Sequence, residues 1–279
     1  MQIIQNFPID GKHHKPIVAD VFYIDNHQPK PIIIFCHGYK GFKDWGAWNL
    51  MAEAFVKAGY FFIKFNFSYN GGTLENPIDF PDLEAFGNNN YTKELDDLQS
   101  VIDWIYNSKN YQQQIDNSNI TLIGHSRGGG ISLLKTAEEK RITKVITLAS
   151  VCDFAKRTAT IGDLENWKKE GVKYVLNGRT KQQMPHYYQF YEDFLANKTR
   201  LNIKNAVEKI SIPLLILHGD KDTSVFIKEA ENLKSWNKNA QFIVVKDADH
   251  VFNVQHPWIE KKLSKQMREV IENCLLFLE

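Results

Sequence analysis

The chain has 279 residues, 43% of them apolar and 13% aromatic. That composition excludes a disordered or fibrous polymer and suffices for one large core or two small ones. Lys and Arg number 34 against 33 Asp and Glu, a formal charge of +1, which excludes the strong positive field of a protein that holds nucleic acid by its phosphates.

The N-terminal stretch MQIIQNFPIDGKHHKP lacks a basic region followed by an apolar one, and no apolar run approaches the length of a membrane helix. A soluble cytoplasmic protein without membrane contact is expected, with a processed precursor left open. Residues 17–24 suit an antiparallel edge strand. Residues 31–36 (PIIIFC), 60–66 (YFFIKFN), 119–124 (NITLIG), 144–149 (KVITLA), 213–218 (PLLILH) and 241–246 (QFIVVK) are short and rich in β-branched or aromatic residues. Such runs predict strands buried on both faces of a parallel sheet. Helical periodicity fills the intervals at 48–58, 91–106, 128–139 and 225–236, and a last helix over 257–278 is read as opened by Pro257. Strand alternating with helix predicts an α/β fold with helices on both faces of a mostly parallel sheet.

One interval breaks the rhythm. Residues 152–210 offer no strand candidate and gather Trp167, Tyr174, Tyr187, Tyr188, Phe190, Tyr191 and Phe194 among many charges. A long insertion of this kind predicts a helical cap, or lid, over the sheet edge. Without a linker or repeat elsewhere, one domain carrying an inserted cap is expected.

The sharpest local signal is Gly124-His125-Ser126-Arg127-Gly128-Gly129-Gly130, between the strand NITLI and a helical pattern. This is a G-x-S-x-G nucleophile elbow in its strand-turn-helix context. The serine sits in a tight turn, and the glycines let strand and helix approach each other. A hydroxyl needs a base, and the base needs an acid to fix its tautomer. His250 follows the strand QFIVVK, and Asp222 follows PLLILH, with Asp220 competing for the role of acid. Ser126, Asp222 and His250 at three strand ends make a workable triad.

With these motifs the chain resembles α/β-hydrolases of the esterase, dienelactone-hydrolase and serine-aminopeptidase-like group. The likeness rests on His37-Gly38, Gly124 to Gly129, His218-Gly219-Asp220-Lys221-Asp222-Thr223-Ser224-Val225 and Asp249-His250-Val251-Phe252. It covers nearly the whole chain apart from the cap. It implies a single α/β-hydrolase domain over 1–279, with the cap at 152–210 inside it, and a serine hydrolase that cleaves small carboxylic esters through an acyl-enzyme. The nearest likeness is to acyl or cinnamoyl esterases, although the cap sequence does not carry a substrate over. A tetrahedral intermediate needs two preorganised N–H donors, and the same map places them at the backbone amides of Tyr39 and Arg127.

Tyr187, Tyr188 and Tyr191 are candidates to line an acyl or aryl pocket, against the alternative that they pack the cap onto the body. His37, His125 and His218 are read as loop-fixing residues, and Asp247 and Asp249 as turn formers. Cys36, Cys152 and Cys274 lack metal or disulfide spacing, and the His13-His14 pair lacks acidic partners, so neither metal nor other cofactor is expected. Two readings compete with the esterase. An aminopeptidase or amide hydrolase would need an acidic anchor such as Glu165, Glu170, Glu192 or Asp193, and a hydrolase-fold binding protein would hold a small ligand without turning it over. The oligomeric state, monomer or homodimer, is left open.

Overall fold

A computed structural model describes residues 1–159 and 163–279. In chain order its strands are β1 (Gln2–Ile9), β2 (Ile17–Tyr23), β3 (Lys30–Cys36), β4 (Phe61–Asn66), β5 (Ile115–His125), β6 (Ile142–Leu148), β7 (Val172–Leu176), β8 (Gln183–Tyr187), β9 (Leu214–Gly219) and β10 (Gln241–Val245). The helices are α1 (Trp48–Lys57), α2 (Leu83–Gly87), α3 (Tyr91–Tyr106), α4 (Arg127–Glu138), α5 (Phe154–Ala159), α6 (Leu164–Glu170), α7 (Gln189–Ala196), α8 (Ile203–Lys209), α9 (Ile227–Trp236) and α10 (Lys265–Leu278).

Eight strands form the main sheet in the order β1-β2-β4-β3-β5-β6-β9-β10. Pairing is parallel from β4 through β10, while β1 and β2 are antiparallel additions. The apolar runs are continuous because both faces are covered. Leu95, Leu98 and Ile102 of α3, Ile131 of α4 and Leu233 of α9 pack one face. Trp48 and Phe55 of α1 with Met267, Val270 and Cys274 of α10 pack the other. This is the doubly covered, mostly parallel α/β architecture that the alternation predicts.

The structure corrects several boundaries. Strand β2 is not an edge strand, because β1 pairs outside it. Pro257 does not open the last helix: it follows a cis peptide bond after His256. Helix α10 instead starts after Ser264, whose side chain accepts the Met267 N–H at 3.0 Å. The inserted segment is not wholly helical either. Strands β7 and β8 pair antiparallel in a two-stranded hairpin, and Gly87 of α2 makes room for the Tyr187 ring, since a Cβ there would lie 2.8 Å from its Cε2. Residues 160–162, within the expected cap, lie outside the described residues. Among the described residues no helix is long and apolar enough to cross a membrane.

One buried feature ties the loop after β3 to the sheet. Asp20 of β2 and Lys64 of β4 are fully buried and meet at 2.5 Å, while Lys43 of the loop reaches Asp20 at 2.8 Å and its neighbour Asp44 at 2.6 Å. Asp44 closes the set by pairing with Lys64. Two cations and two anions therefore balance, which is the condition for burying charge at tolerable cost.

Candidate active site

Ligands of open α/β sheets sit beyond the carboxyl ends of the parallel strands, and there the chain gathers its chemistry. Ser126 follows β5 with φ 55° and ψ −119°, a strained conformation held by close packing. A Cβ on Gly124 would lie 2.3 Å from the Gly128 carbonyl oxygen, and one on Gly128 would lie 2.3 Å from that of Cys36. Side chains at either position would force helix α4 off the sheet.

His250, in the loop after β10, brings its Nε2 to 3.0 Å from the Ser126 hydroxyl. Its Nδ1 lies 2.7 Å from Oδ2 of Asp222, beyond β9. The other Asp222 oxygen accepts the N–H groups of Ser224 at 2.8 Å and Val225 at 2.9 Å. Burial pushes the Asp222 carboxyl up, but hydrogen bonds from His218, His250 and the Val225 amide outweigh it and hold the group well below the usual carboxylate range. An ionised Asp222 accepts from Nδ1–H, which leaves the lone pair of Nε2 facing the Ser126 hydroxyl. Asp220 is turned elsewhere and accepts the Asp247 N–H at 2.7 Å.

Three further histidines fix the loops. His125 bonds through Nε2 to the carbonyl of His250 at 2.9 Å, and burial pushes its pKa down to about 3. His37 donates from Nδ1 to the Gly38 carbonyl at 2.9 Å and accepts the Phe67 N–H at Nε2, its pKa lowered by burial to about 4. His218 donates from Nε2 to the Val225 carbonyl at 2.8 Å, with Asp222 3.3 Å away.

Ser126 and His250 open into a cavity of about 360 Å³ whose walls include Tyr39, Tyr91, Arg127, Val151, Phe154 and His186. Tyr39 lies in the loop after β3, and Arg127 is the first residue of α4, where backbone N–H groups lack intrahelical partners. The sequence motifs predict only backbone roles for these two. Their side chains build a second constellation. The Arg127 guanidinium lies 3.2 Å from Glu94 of α3, which also accepts from Asn89 at 2.8 Å. It faces the rings of Tyr39, Tyr91 and Phe190 at 4.4, 5.2 and 5.5 Å. The Tyr39 hydroxyl meets His186 of β8 at 2.9 Å. His186 is kept neutral by burial, its pKa lowered to about 4. The nearest sequence signal for this cluster was the Arg inside the elbow motif.

The tyrosine candidates lie elsewhere. None of Tyr187, Tyr188 and Tyr191 lines the cavity around Ser126. The Tyr187 hydroxyl bonds to Glu84. Tyr188 and Tyr191 pack on Trp167 with ring centroids at 5.7 and 6.2 Å. Tyr187 thus ties the insert to α2, Tyr188 and Tyr191 pack within the insert, and the apolar walls of the cavity come from other residues. Glu165, Glu170, Glu192 and Asp193 do not line it either, and Asp193 accepts from Thr92 at 2.9 Å.

The BD-FAE family model matches residues 19–237, a span that includes Ser126 and Asp222 and stops short of His250. The chain belongs to the BD-FAE family. That family's domain is esterase-like, and the chain carries the α/β-hydrolase fold. Est1E from Butyrivibrio proteoclasticus superposes with a TM-score of 0.72 at 17% identity, over 98% of this chain and 96% of that one. The same protein has been solved with ferulic acid bound, where the TM-score is 0.69 at 17% identity over 98% and 97% of the two chains. A putative hydrolase from Agrobacterium vitis superposes with a TM-score of 0.74 at 18% identity over the full length of both chains. At such identities these likenesses speak to the fold. An uncharacterized 31.7 kDa protein of Escherichia coli, from the traX-finO intergenic region, is 30% identical over 130 residues, 44% of this chain. The match spans only 38% of that protein's length.

Proposed function

We propose that the protein is a cofactor-free serine esterase that hydrolyses small carboxylic esters through an acyl-enzyme. The observation that carries this reading is the unbroken hydrogen-bonded chain from Ser126 through His250 to Asp222, 3.0 Å and 2.7 Å, with Ser126 and His250 lining a cavity. Ser126 Oγ attacks the carbonyl carbon while His250 Nε2 takes the hydroxyl proton. The carbonyl oxygen becomes an oxyanion received by the Tyr39 and Arg127 amides. Collapse breaks the ester C–O bond, and His250 hands its proton to the departing alcohol. Water, deprotonated by the same imidazole, then attacks the acyl-serine and releases the acid.

In the same reading the segment 152–210 is a cap within one domain, because Val175 of β7 and His186 of β8 reach over to line the Ser126 cavity. A cytoplasmic setting fits three buried cysteines that are all unpaired. The aminopeptidase alternative is disfavoured by the cavity walls. Among the described residues that line it, Lys40, Arg127 and Arg157 are cationic and none is acidic, a poor anchor for a substrate ammonium.

The test is hydrolysis of p-nitrophenyl acetate and butyrate by the wild-type protein and by Ser126→Ala, with an aminoacyl p-nitroanilide in parallel. Ester turnover abolished by the substitution supports the reading; ester turnover that survives it, or turnover confined to the anilide, overturns it.

A further inference from the structure

A second cavity, of about 560 Å³ and open to solvent, adjoins the one beside Ser126, and Phe154 lines both. The chain itself forms the partition there: Val151 faces the first cavity, and the next residue, Cys152, faces the second. Its lining sets Leu201, Ile203 and Trp236, apolar residues of the kind that accept a hydrocarbon chain, beside the charged Asp153, Lys198 and Lys204.

Phe154 is held in place from two sides. Its ring stacks on Tyr91 at a centroid distance of 3.9 Å and an interplanar angle of 12°. On helix α4, Gly130 leaves room for the ring, for a Cβ there would lie 2.9 Å from Cζ of Phe154. Gly130 is the last glycine of the elbow motif and lies beyond the G-x-S-x-G core, so a place for this ring is its own assignment. A buried aromatic stacked face to face and backed by a helix is a fixed wall.

We propose that Phe154 is a specificity-determining residue that closes the inner end of the active-site cavity and sets the longest straight apolar chain an ester substrate can carry. The inference rests on the esterase reading of Ser126. Shrinking the ring is expected to open a way past the Val151–Cys152 partition on the Phe154 side, and each further methylene removed from water is worth about 0.8 kcal/mol, roughly fourfold in kcat/KM. The chain could belong to the acyl or to the alcohol half, and the assay separates the two.

The experiment measures kcat/KM of the wild type, Phe154→Ala, Phe154→Leu and Phe154→Trp on two series: p-nitrophenyl esters from acetyl to dodecanoyl, and acetate esters of straight-chain alcohols from ethyl to dodecyl. The readout is the ratio of octanoyl to butyryl, or octyl to butyl, within one preparation, so the folded fraction cancels. In one of the two series the ratio is expected to rise tenfold or more in Phe154→Ala, to rise less in Phe154→Leu and to fall in Phe154→Trp. The series that responds identifies the half of the ester that points at Phe154. If the wild type cleaves the short esters, Ser126→Ala does not, and the ratios in both series stay within twofold of wild type, this inference alone is overturned. If the wild type cleaves no ester of either series, the esterase reading falls and takes the inference with it.

Discussion

The Arg127 guanidinium lies 4.4 Å from the centroid of the Tyr39 ring. These are the two residues whose amides are proposed to receive the oxyanion, so the donor on the β3 loop and the donor on helix α4 are joined by their own side chains. Burial makes such a cation–π contact worth about 2 kcal/mol, against less than 1 at an exposed site. Tyr39→Leu is expected to lower kcat about tenfold with a smaller change in KM, whereas Tyr39→Phe, which keeps the ring and loses only the bond to His186, stays within about threefold. A double-mutant cycle of Tyr39→Leu with Arg127→Met, read in kcat/KM, should give a coupling of about 1–2 kcal/mol. Strict additivity would mean that the two loops are positioned independently.

Strain at the proposed nucleophile makes a separate prediction. A φ of 55° with ψ of −119° at Ser126 is uncomfortable for any residue with a Cβ and costs on the order of 1–3 kcal/mol. Ser126→Ala keeps that strain while losing about 10⁴-fold or more in turnover. Ser126→Gly relieves it, and its melting temperature is expected to exceed that of Ser126→Ala by about 2–4 °C. Calorimetry of the two inactive variants makes the comparison, and equal melting temperatures would show that the turn stores no strain.

Asp97, buried on α3, accepts the Ser68 N–H at 2.7 Å and the Ser68 hydroxyl at 2.8 Å. Burial nevertheless pushes its pKa up to about 7. Between about pH 4, where the unfolded carboxyl titrates, and pH 7 the folded chain holds a proton that the unfolded chain releases, so this group's contribution to stability falls as pH rises. The loss is bounded at about 4 kcal/mol. Asp97→Asn removes the titration, so its stability relative to wild type should increase from pH 5 to pH 8. Urea unfolding at the two pH values measures this, and a difference that does not change with pH would contradict it.

The buried ion quartet supplies a stability test. Asp20→Asn leaves Lys43 and Lys64 sharing the single carboxylate of Asp44, and removing one partner of a buried charge set costs about 3–5 kcal/mol. Because Lys43 sits in the loop that carries Tyr39, turnover by the folded fraction should fall as well. Denaturant unfolding combined with active-site titration separates the two effects.

What could be read from sequence, and what could not, follows from how local each signal is. Runs such as PIIIFC and PLLILH are apolar because both faces of the sheet are covered, and the elbow glycines are required by backbone contacts a few residues apart. Those signals survive without coordinates. Strand β7 (VKYVL) is half-exposed and β8 (QMPHY) contains Pro185, so each looks irregular, and only their pairing and the packing of Tyr187 on Gly87 make them strands. Strand β1 lies exposed on the sheet edge with Pro8 inside it, and so lacks the buried run that marks the others. Aromatic residues give the same signal whether they pack an insert or line a cavity, so sequence alone does not favour Tyr91 and Phe154 over Tyr187, Tyr188 and Tyr191. The elbow motif leaves the residue after the serine open, so the environment of Arg127 became visible only when Glu94 and Tyr39 arrived from elsewhere in the chain.

Mobile ions gain little purchase on charges that water does not reach. The segment from His37 to Gly46 is moored to the sheet through the buried Asp20, Lys43 and Lys64, with Asp44 partly exposed beside them, and a mooring of that kind holds in brine. Alignment of the Tyr39 amide, and the catalysis proposed to depend on it, should therefore persist at molar salt, where a hydrolase relying on surface ion pairs to shape the same loop would falter.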